Sequence, residues 1–588
     1  MKNYIRHAFS SIKKRTLSVS AVLTSIVLLL SAPAQGNSAA VADFVFTGGK
    51  VYTVNETQPW AEAVAVKGNK IIFVGSNSDA KKHIRKKTKI IKLDGKMMLP
   101  GFVEGHFHTI AGSMAMKGVN LQTDDKKDLF KIIRNYVAKS KDDVILGYGV
   151  RFNPWPDSRP TAAMLDAIES DRPVFFWGID LHTAWVNSRA LEMAGIDKNT
   201  PETVPGFSYF ERDAKGNPTG WIVEVPALLQ VFSALVDVNM DFVAEGLKEW
   251  LPRFSEAGIT TVHDLGVQGF GQTEGYQLLA DFNARGELPL RVSGTYYWNN
   301  PKVDPLPILK KMRKKFTTDK VRVEYLKINL DGSEEAWNGL FTQPFLDKPD
   351  IVPESIIPYK ILNDVVQRAD AMGINVVCHC YGDLAVRKLL DAIEAAIKVN
   401  PPRQRHHKIT HGVQVHPDDR DRFAKLGVTY ETHGAWMALD PVVQKMSAVR
   451  MGMDWVNRLY PIRAIADSGA NISLGSDWPA AGYYSEYRPL AGIQMAVTRQ
   501  SIGAPDSPVL GNKSMRLKLE QALRANTLGA AYGMNANSSV GSIEVGKFAD
   551  LIVLEKNLFD VKTENISQVK VMMTLMDGKV THVDERLK

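Results

Sequence analysis

The sequence predicts an α/β protein: a (β/α)8 barrel with an insertion after its first strand, plus a small β-sandwich domain formed by both chain ends. Three observations carry that reading. Apolar strand runs alternate with helical stretches between residues 98 and 534, and eight such runs can be counted. The candidate polar residues fall at the ends of those runs, where a barrel gathers its functional groups. Short alternating strands with Gly and Asn breaks recur at both ends of the chain, as one domain closed by both termini requires.

Taken from the N-terminus, residues 1–34 read as a secretory signal peptide. Lys2, Arg6, Lys13, Lys14 and Arg15 make a basic leader, 17–30 is mostly apolar, and Ala32-Pro33-Ala34 offers a small-x-small cleavage site. The apolar run is shorter than the roughly 20 residues a membrane span needs. No cysteine stands just behind it, so no stable membrane anchor is expected after cleavage near Ala34, and the mature protein is expected to be periplasmic or secreted. Without the leader the formal charge of +8 drops by five to +3. The high pI therefore gives no reason to expect a nucleic-acid partner, and the lysines and arginines between 81 and 89 read as a solvated face.

Residues 42–97 form the first part of the β-sandwich, with strand runs at 44–47, 51–54, 63–66, 71–74 and 90–93. Residues 535–588 supply the second part, through 541–550, 551–554, 569–573 and 577–581. Between them, the strand of His106 and His108 is followed by runs at 260–265, 290–295, 323–329, 374–379, 408–411, 427–431 and 471–477. Helical stretches lie between most of these, for instance 383–399 with its apolar residues at helical spacing. A TIM barrel of this type needs about 250 residues. The surplus lies mainly between the first two strands, so an insertion is placed at about 111–250, with a strand-like run at 174–179.

The two cysteines, Cys378 and Cys380, are two positions apart on one predicted strand. Their side chains would run nearly parallel near the upper distance limit for a disulfide, so both are expected as buried thiols opposite His379.

His106 and His108 flank Phe107, so on a strand both imidazoles share a face. Lys327 lies on the fourth strand; His379, His411 and Asp477 end the fifth, sixth and eighth. Four histidines and an aspartate at one barrel mouth suit a borderline divalent metal such as zinc. Trp155, Trp177, Trp185, Trp221, Trp436 and Trp478 could line an apolar pocket or pack in the core.

Several segments together resemble the amidohydrolase superfamily, specifically the amidohydrolase-3 branch that includes N-substituted formamide deformylases. They are Leu99-Pro-Gly-Phe-Val-Glu-Gly-His-Phe-His108, Asp180-Leu-His-Thr-Ala-Trp-Val-Asn-Ser188, Gly258-Ile-Thr-Thr-Val-His-Asp264, Lys327-Ile-Asn-Leu-Asp-Gly-Ser333, His407-Lys-Ile-Thr-His411, Gly475-Ser-Asp-Trp-Pro479 and 541–551. The resemblance implies two metal ions, Zn(2+) or another divalent metal. His106, His108 and Asp477 would hold the first, His379 and His411 the second, and a carboxylated Lys327 would bridge both. It further implies that Asp477 takes a proton from the attacking water and passes it to the leaving nitrogen, with His182 and His263 as polar contacts to the substrate or the tetrahedral oxygen. His406, His407, His416 and His433 are weaker candidates. Glu104 departs from the family, where many relatives carry Asp, at a position that is not a ligand. The expected activity is hydrolysis of a C–N bond in a small-molecule amide with an apolar portion. Lactone, ester or cyclic-amide hydrolysis on the same site is the alternative, and a non-catalytic regulatory protein on this scaffold is the alternative of another class. A homo-oligomer is possible on this reading.

Overall fold

The computed structural model describes residues 40–587 apart from 153, 156–158, 205–207, 439–440 and 481–485. The predicted signal peptide lies outside the described residues.

Eight parallel strands form the central sheet in chain order. They are β1 (Phe102–Phe107), β2 (Ile259–Asp264), β3 (Arg291–Trp298), β4 (Val321–Asn329), β5 (Asn375–Cys380), β6 (Lys408–His411), β7 (Thr429–His433) and β8 (Ile472–Gly475). Most are buried along nearly their whole length, as parallel strands covered on both faces must be. Each of the eight predicted runs coincides with one of them. The ring closes just past β8, where Phe107 bridges Trp478 in parallel. Two hydrogen bonds hold this seam: Asp477 N–H donates to the His106 carbonyl at 3.0 Å, and His108 N–H to the Trp478 carbonyl at 3.0 Å. Only glycine permits so close an approach at Gly475, whose added Cβ would lie 2.4 Å from the His106 nitrogen.

The predicted helix after β5 spans Asp383–Val399 and buries Val386, Leu389, Leu390, Ile393 and Ala396 against the barrel. Cys378 and Cys380 are buried, unpaired and part of the main apolar core.

Between β1 and β2 stands a second, six-stranded sheet. Its spatial order is Tyr209–Arg212, Pro218–Val223, Thr183–Val186, Val174–Gly178, Ile145–Val150 and Val119–Asn120. Its own core includes Trp155, Trp185 and Trp221, which are therefore packing residues.

The chain ends build two further sheets. Phe44–Thr47, Ala63–Lys67, Lys70–Gly75 and Lys89–Lys92 form one. In the other, Met97–Pro100 pairs antiparallel with Leu551–Leu554, joining both ends of the chain. Phe46, Val64 and Ile71 from the first sheet share a core with Met98, Val553 and Leu575 from the second. The run 541–550 differs from expectation: it is a loop with turns at Gly541 and Gly546, both at φ near 90° (90° and 93°), and Phe548 makes only an isolated bridge to Lys70.

Candidate metal centre

The β1–β8 seam sets the first cluster. Because Asp477 is pinned to the His106 carbonyl, its carboxylate is delivered to both strand histidines: Oδ1 lies 3.0 Å from His106 Nε2 and 3.2 Å from His108 Nε2. Asp477 adopts a left-handed backbone (φ 60°), as does His411 (φ 68°), a strained conformation often kept where function needs a fixed side chain. Oδ2 of Asp477 faces His411 Nδ1 at 3.7 Å and His433 Nε2 at 3.8 Å. His433 Nε2 is 2.8 Å from His411 Nδ1. Two groups thus have ligand atoms mutually within 4.8 Å, the spacing one ion can satisfy: His106, His108 and Asp477, and His106, His411 and His433.

Acceptors outside the cluster fix which nitrogen of each ring points in. His108 Nδ1 donates to the Gly266 carbonyl (3.1 Å) and His433 Nδ1 to that of Gly475 (3.3 Å), leaving both Nε2 atoms as acceptors. His106 Nδ1 meets the wholly buried Glu431 at 3.0 Å. The His379 ring lies 4.1 Å from that of His411, tilted by 56°, and its buried Nε2 has no hydrogen-bond partner among the described residues. The nearest carboxylate to that nitrogen is Asp331 at 3.8 Å. Asp331 itself accepts the N–H groups of Leu340, Tyr381 and Gly382, tying the loop after β4 to the end of β5.

Electrostatics sort the protonation states. Burial holds the His106 and His411 imidazoles well below their usual range, and brings His379 down to about 3 and His433 to about 4. For His108 burial acts the same way, but the Asp477 carboxylate outweighs it and raises the ring. Burial would push Asp477 up; the surrounding histidines reverse this and hold it well below the usual carboxylate range. Mostly neutral imidazoles around an ionised carboxylate are the forms a cation binds. The donor set therefore fits a divalent ion, and the orphaned His379 Nε2 and Glu431 Oε1 are consistent with one.

Lys327 is buried on β4, its Nζ donating to Thr410 Oγ1 at 3.1 Å. Burial lowers its pKa against the pull of Asp477 and Glu431. His263 is fully buried on β2, where its Nδ1 lies 2.7 Å from Lys408 Nζ and its ring packs on Tyr325. It is thus engaged inside the barrel, apart from the two metal-spaced groups. His182 stands on the inserted sheet, 60% exposed, with Nδ1 2.8 Å from Glu224. His407 is a core residue that accepts the Val376 N–H and meets Asp370, and His416 accepts the Asp418 N–H at a short helix start. Trp436 lies over the second group, 4.3 Å from the His433 ring and 5.8 Å from His411.

Glu431 and Lys408 escaped the sequence reading, and His433 was ranked low. The missed signal was Glu431-Thr-His433, an i, i+2 pair at a strand end that repeats the logic of His106-Phe-His108.

The family model described as the Amidohydrolase family matches residues 89–582. The N-substituted formamide deformylase of Arthrobacter pascens is 24% identical over 560 residues, 91% of this chain and 97% of that one. The exoenzymes regulatory protein AepA of Pectobacterium carotovorum is 33% identical over 398 residues, 66% of this chain and 84% of that protein. In fold, a metal-dependent hydrolase from Pyrococcus horikoshii superposes with a TM-score of 0.69 at 22% identity, across 88% of this chain and 99% of that one. With a barrel closed through its candidate metal site and a family match over most of its length, the chain belongs to the amidohydrolase family of metal-dependent hydrolases.

Proposed function

We propose that this protein is an exported hydrolase that cleaves the C–N bond of a small-molecule amide with an apolar portion, using zinc or another divalent metal, two ions per chain. The observation that carries this reading is the convergence of His106 Nε2 and His108 Nε2 on one Asp477 oxygen, at 3.0 and 3.2 Å. His106, His108 and Asp477 would hold the first ion, and His411 and His379 the second, with His433 close beside them. When bound, such ions lower the pKa of water to near neutrality and polarise a carbonyl. Asp477, which lies between the two sets of histidines, would take the proton of the attacking water. Trp436 offers an aromatic wall for the apolar part of a substrate.

Lys327 would bridge the ions as a carbamate. A plain ammonium a few ångströms from a dication would be repelled by several kcal/mol even at an effective dielectric near 20. Its buried amine is also shifted toward the neutral form that combines with carbon dioxide. Lys327→Ala should bind about one ion rather than two and lose most activity, and short carboxylic acids should restore part of it. A bare lysine in a fully active two-metal enzyme, seen by intact mass under carbon dioxide, would defeat the bridge.

The similarity to AepA favours one second reading, a regulatory protein on a hydrolase scaffold. Metal-replete protein screened against formamides, N-acyl amino acids, lactones and cyclic imides separates the two. Turnover of an amide supports the hydrolase; metal binding with no turnover across the panel supports the regulator.

A further inference from the structure

His182 and Glu224 come from adjacent antiparallel strands of the inserted sheet, just outside the Thr183–Val223 pair. Glu224 N–H donates to the His182 carbonyl at 2.6 Å, and its carboxylate meets His182 Nδ1 at 2.8 Å. Asp180 folds the turn below them by accepting the N–H groups of His182 and Thr183 and the Thr183 hydroxyl. Leu181 (φ 58°) and Glu224 (φ 69°) are both left-handed without being glycine. Glu224, one member of the pair, and Leu181, the chain neighbour of the other, thus hold sparsely populated backbone conformations of the kind that cluster at functional sites. With Nδ1 engaged and 60% of the side chain open, Nε2 is the nitrogen free to meet a substrate.

The pair also lies within electrostatic reach of the loop that leaves β4. His182 and Asp180 both sense the charge of Glu335, on the loop that leaves β4. Four residues earlier in that loop, Asp331 stands 3.8 Å from His379.

We propose that His182 is the group that gives a proton to the leaving nitrogen, and that Glu224 is the positioning residue that orients it for this step. The inference rests on the C–N hydrolase reading and replaces Asp477 as the final donor. Water adds its hydroxyl to the acyl carbon while Asp477 takes the proton. As the C–N bond breaks, its electron pair goes to nitrogen, which takes the proton from Nε2. His182 is left neutral and regains a proton from solvent, and Asp477 returns its own to solvent. The carboxylates against His182, Glu224 at 2.8 Å and Asp180 in the turn below, favour its protonated, donating form. Burial alone would lower the His182 pKa, but Glu224, then Asp180 and Glu335, raise it to about 9, keeping the donor loaded at neutral pH.

The test compares an N-formyl alkylamine, whose leaving group needs a proton, with a para-nitrophenyl formate ester, whose leaving group does not. His182→Gln should lose roughly 100-fold or more on the amide and little on the ester. In wild type the amide rate should fall as pH rises through about 9. In Glu224→Gln that alkaline limb should move down toward about 6.5. A readout independent of turnover is the NMR titration of His182 in metal-free protein, expected high in wild type and lowered in Glu224→Gln. Equal losses on amide and ester, or a wild-type His182 titrating near 6.5, would overturn the proposal. A wild-type enzyme that cleaves neither compound would overturn the hydrolase reading itself, and this inference with it.

Discussion

His106 can offer Nε2 to a cation only while Nδ1 keeps the proton, and Glu431 at 3.0 Å is the acceptor for it. Burial pushes the Glu431 carboxyl well up, with Lys408 and Lys327 opposing; a bound cation nearby would favour its ionised, accepting form. Glu431→Leu is therefore expected to weaken metal binding by about 10- to 100-fold in a chelator competition. Glu431→Gln, which keeps an acceptor oxygen, should retain most of the affinity. Unchanged affinity in the leucine variant would show that His106 is oriented by something else. At this scale the sequence was partly legible. His106, His108 and Asp477 stood out because their chemistry and strand-end positions agree. Glu431 did not, because a carboxylate on a strand reads as a surface residue until β1, two strands away around the closed ring, supplies its histidine. Lys408 was hidden for the same reason: which of His407 and Lys408 faces inward depends on the register of β6, not on composition.

Among the elements, the β1–β8 seam governs the site, since the same two hydrogen bonds close the barrel and aim Asp477. Gly475 sits at a close approach of the two strands, and alanine there would drive a methyl to 2.4 Å from the His106 nitrogen. Overpacking of this kind costs about 1–3 kcal/mol, so Gly475→Ala should lower the thermal midpoint and the metal affinity together. A variant that keeps both would mean the seam is looser than its geometry. The barrel strands were legible because buried parallel strands are continuous apolar runs. The order of the inserted sheet was not, since Thr183–Val186 pairs on one side with Val174–Gly178 and on the other with the more distant Pro218–Val223. The loop at 541–550 was misread because its apolar residues alternate as a strand's do, while its glycines take left-handed turns.

Across the whole molecule, the chain ends are fastened to the barrel by charge as well as by packing. Arg291 at the start of β3 donates to Asp550 at 2.7 Å and to Asp577 at 2.6 Å, both in the C-terminal part. The cleavable leader proposed for residues 1–34 is tested at this scale. N-terminal sequencing of the exported protein should begin at or near Gln35, and intact Met1 recovered from a membrane fraction would contradict processing.

The central claim is that hydrolysis depends on metal held by the strand histidines, and metal reconstitution tests it most directly. Chelator-stripped wild-type protein and His106→Ala would each be titrated with Zn(2+), reading bound ion per chain and amide hydrolysis on the same samples. Activity should appear with bound metal in wild type and saturate near two ions, while His106→Ala binds less and stays inactive although folded. Full hydrolysis by a metal-stripped chain, or by His106→Ala with unchanged metal content, would contradict the account.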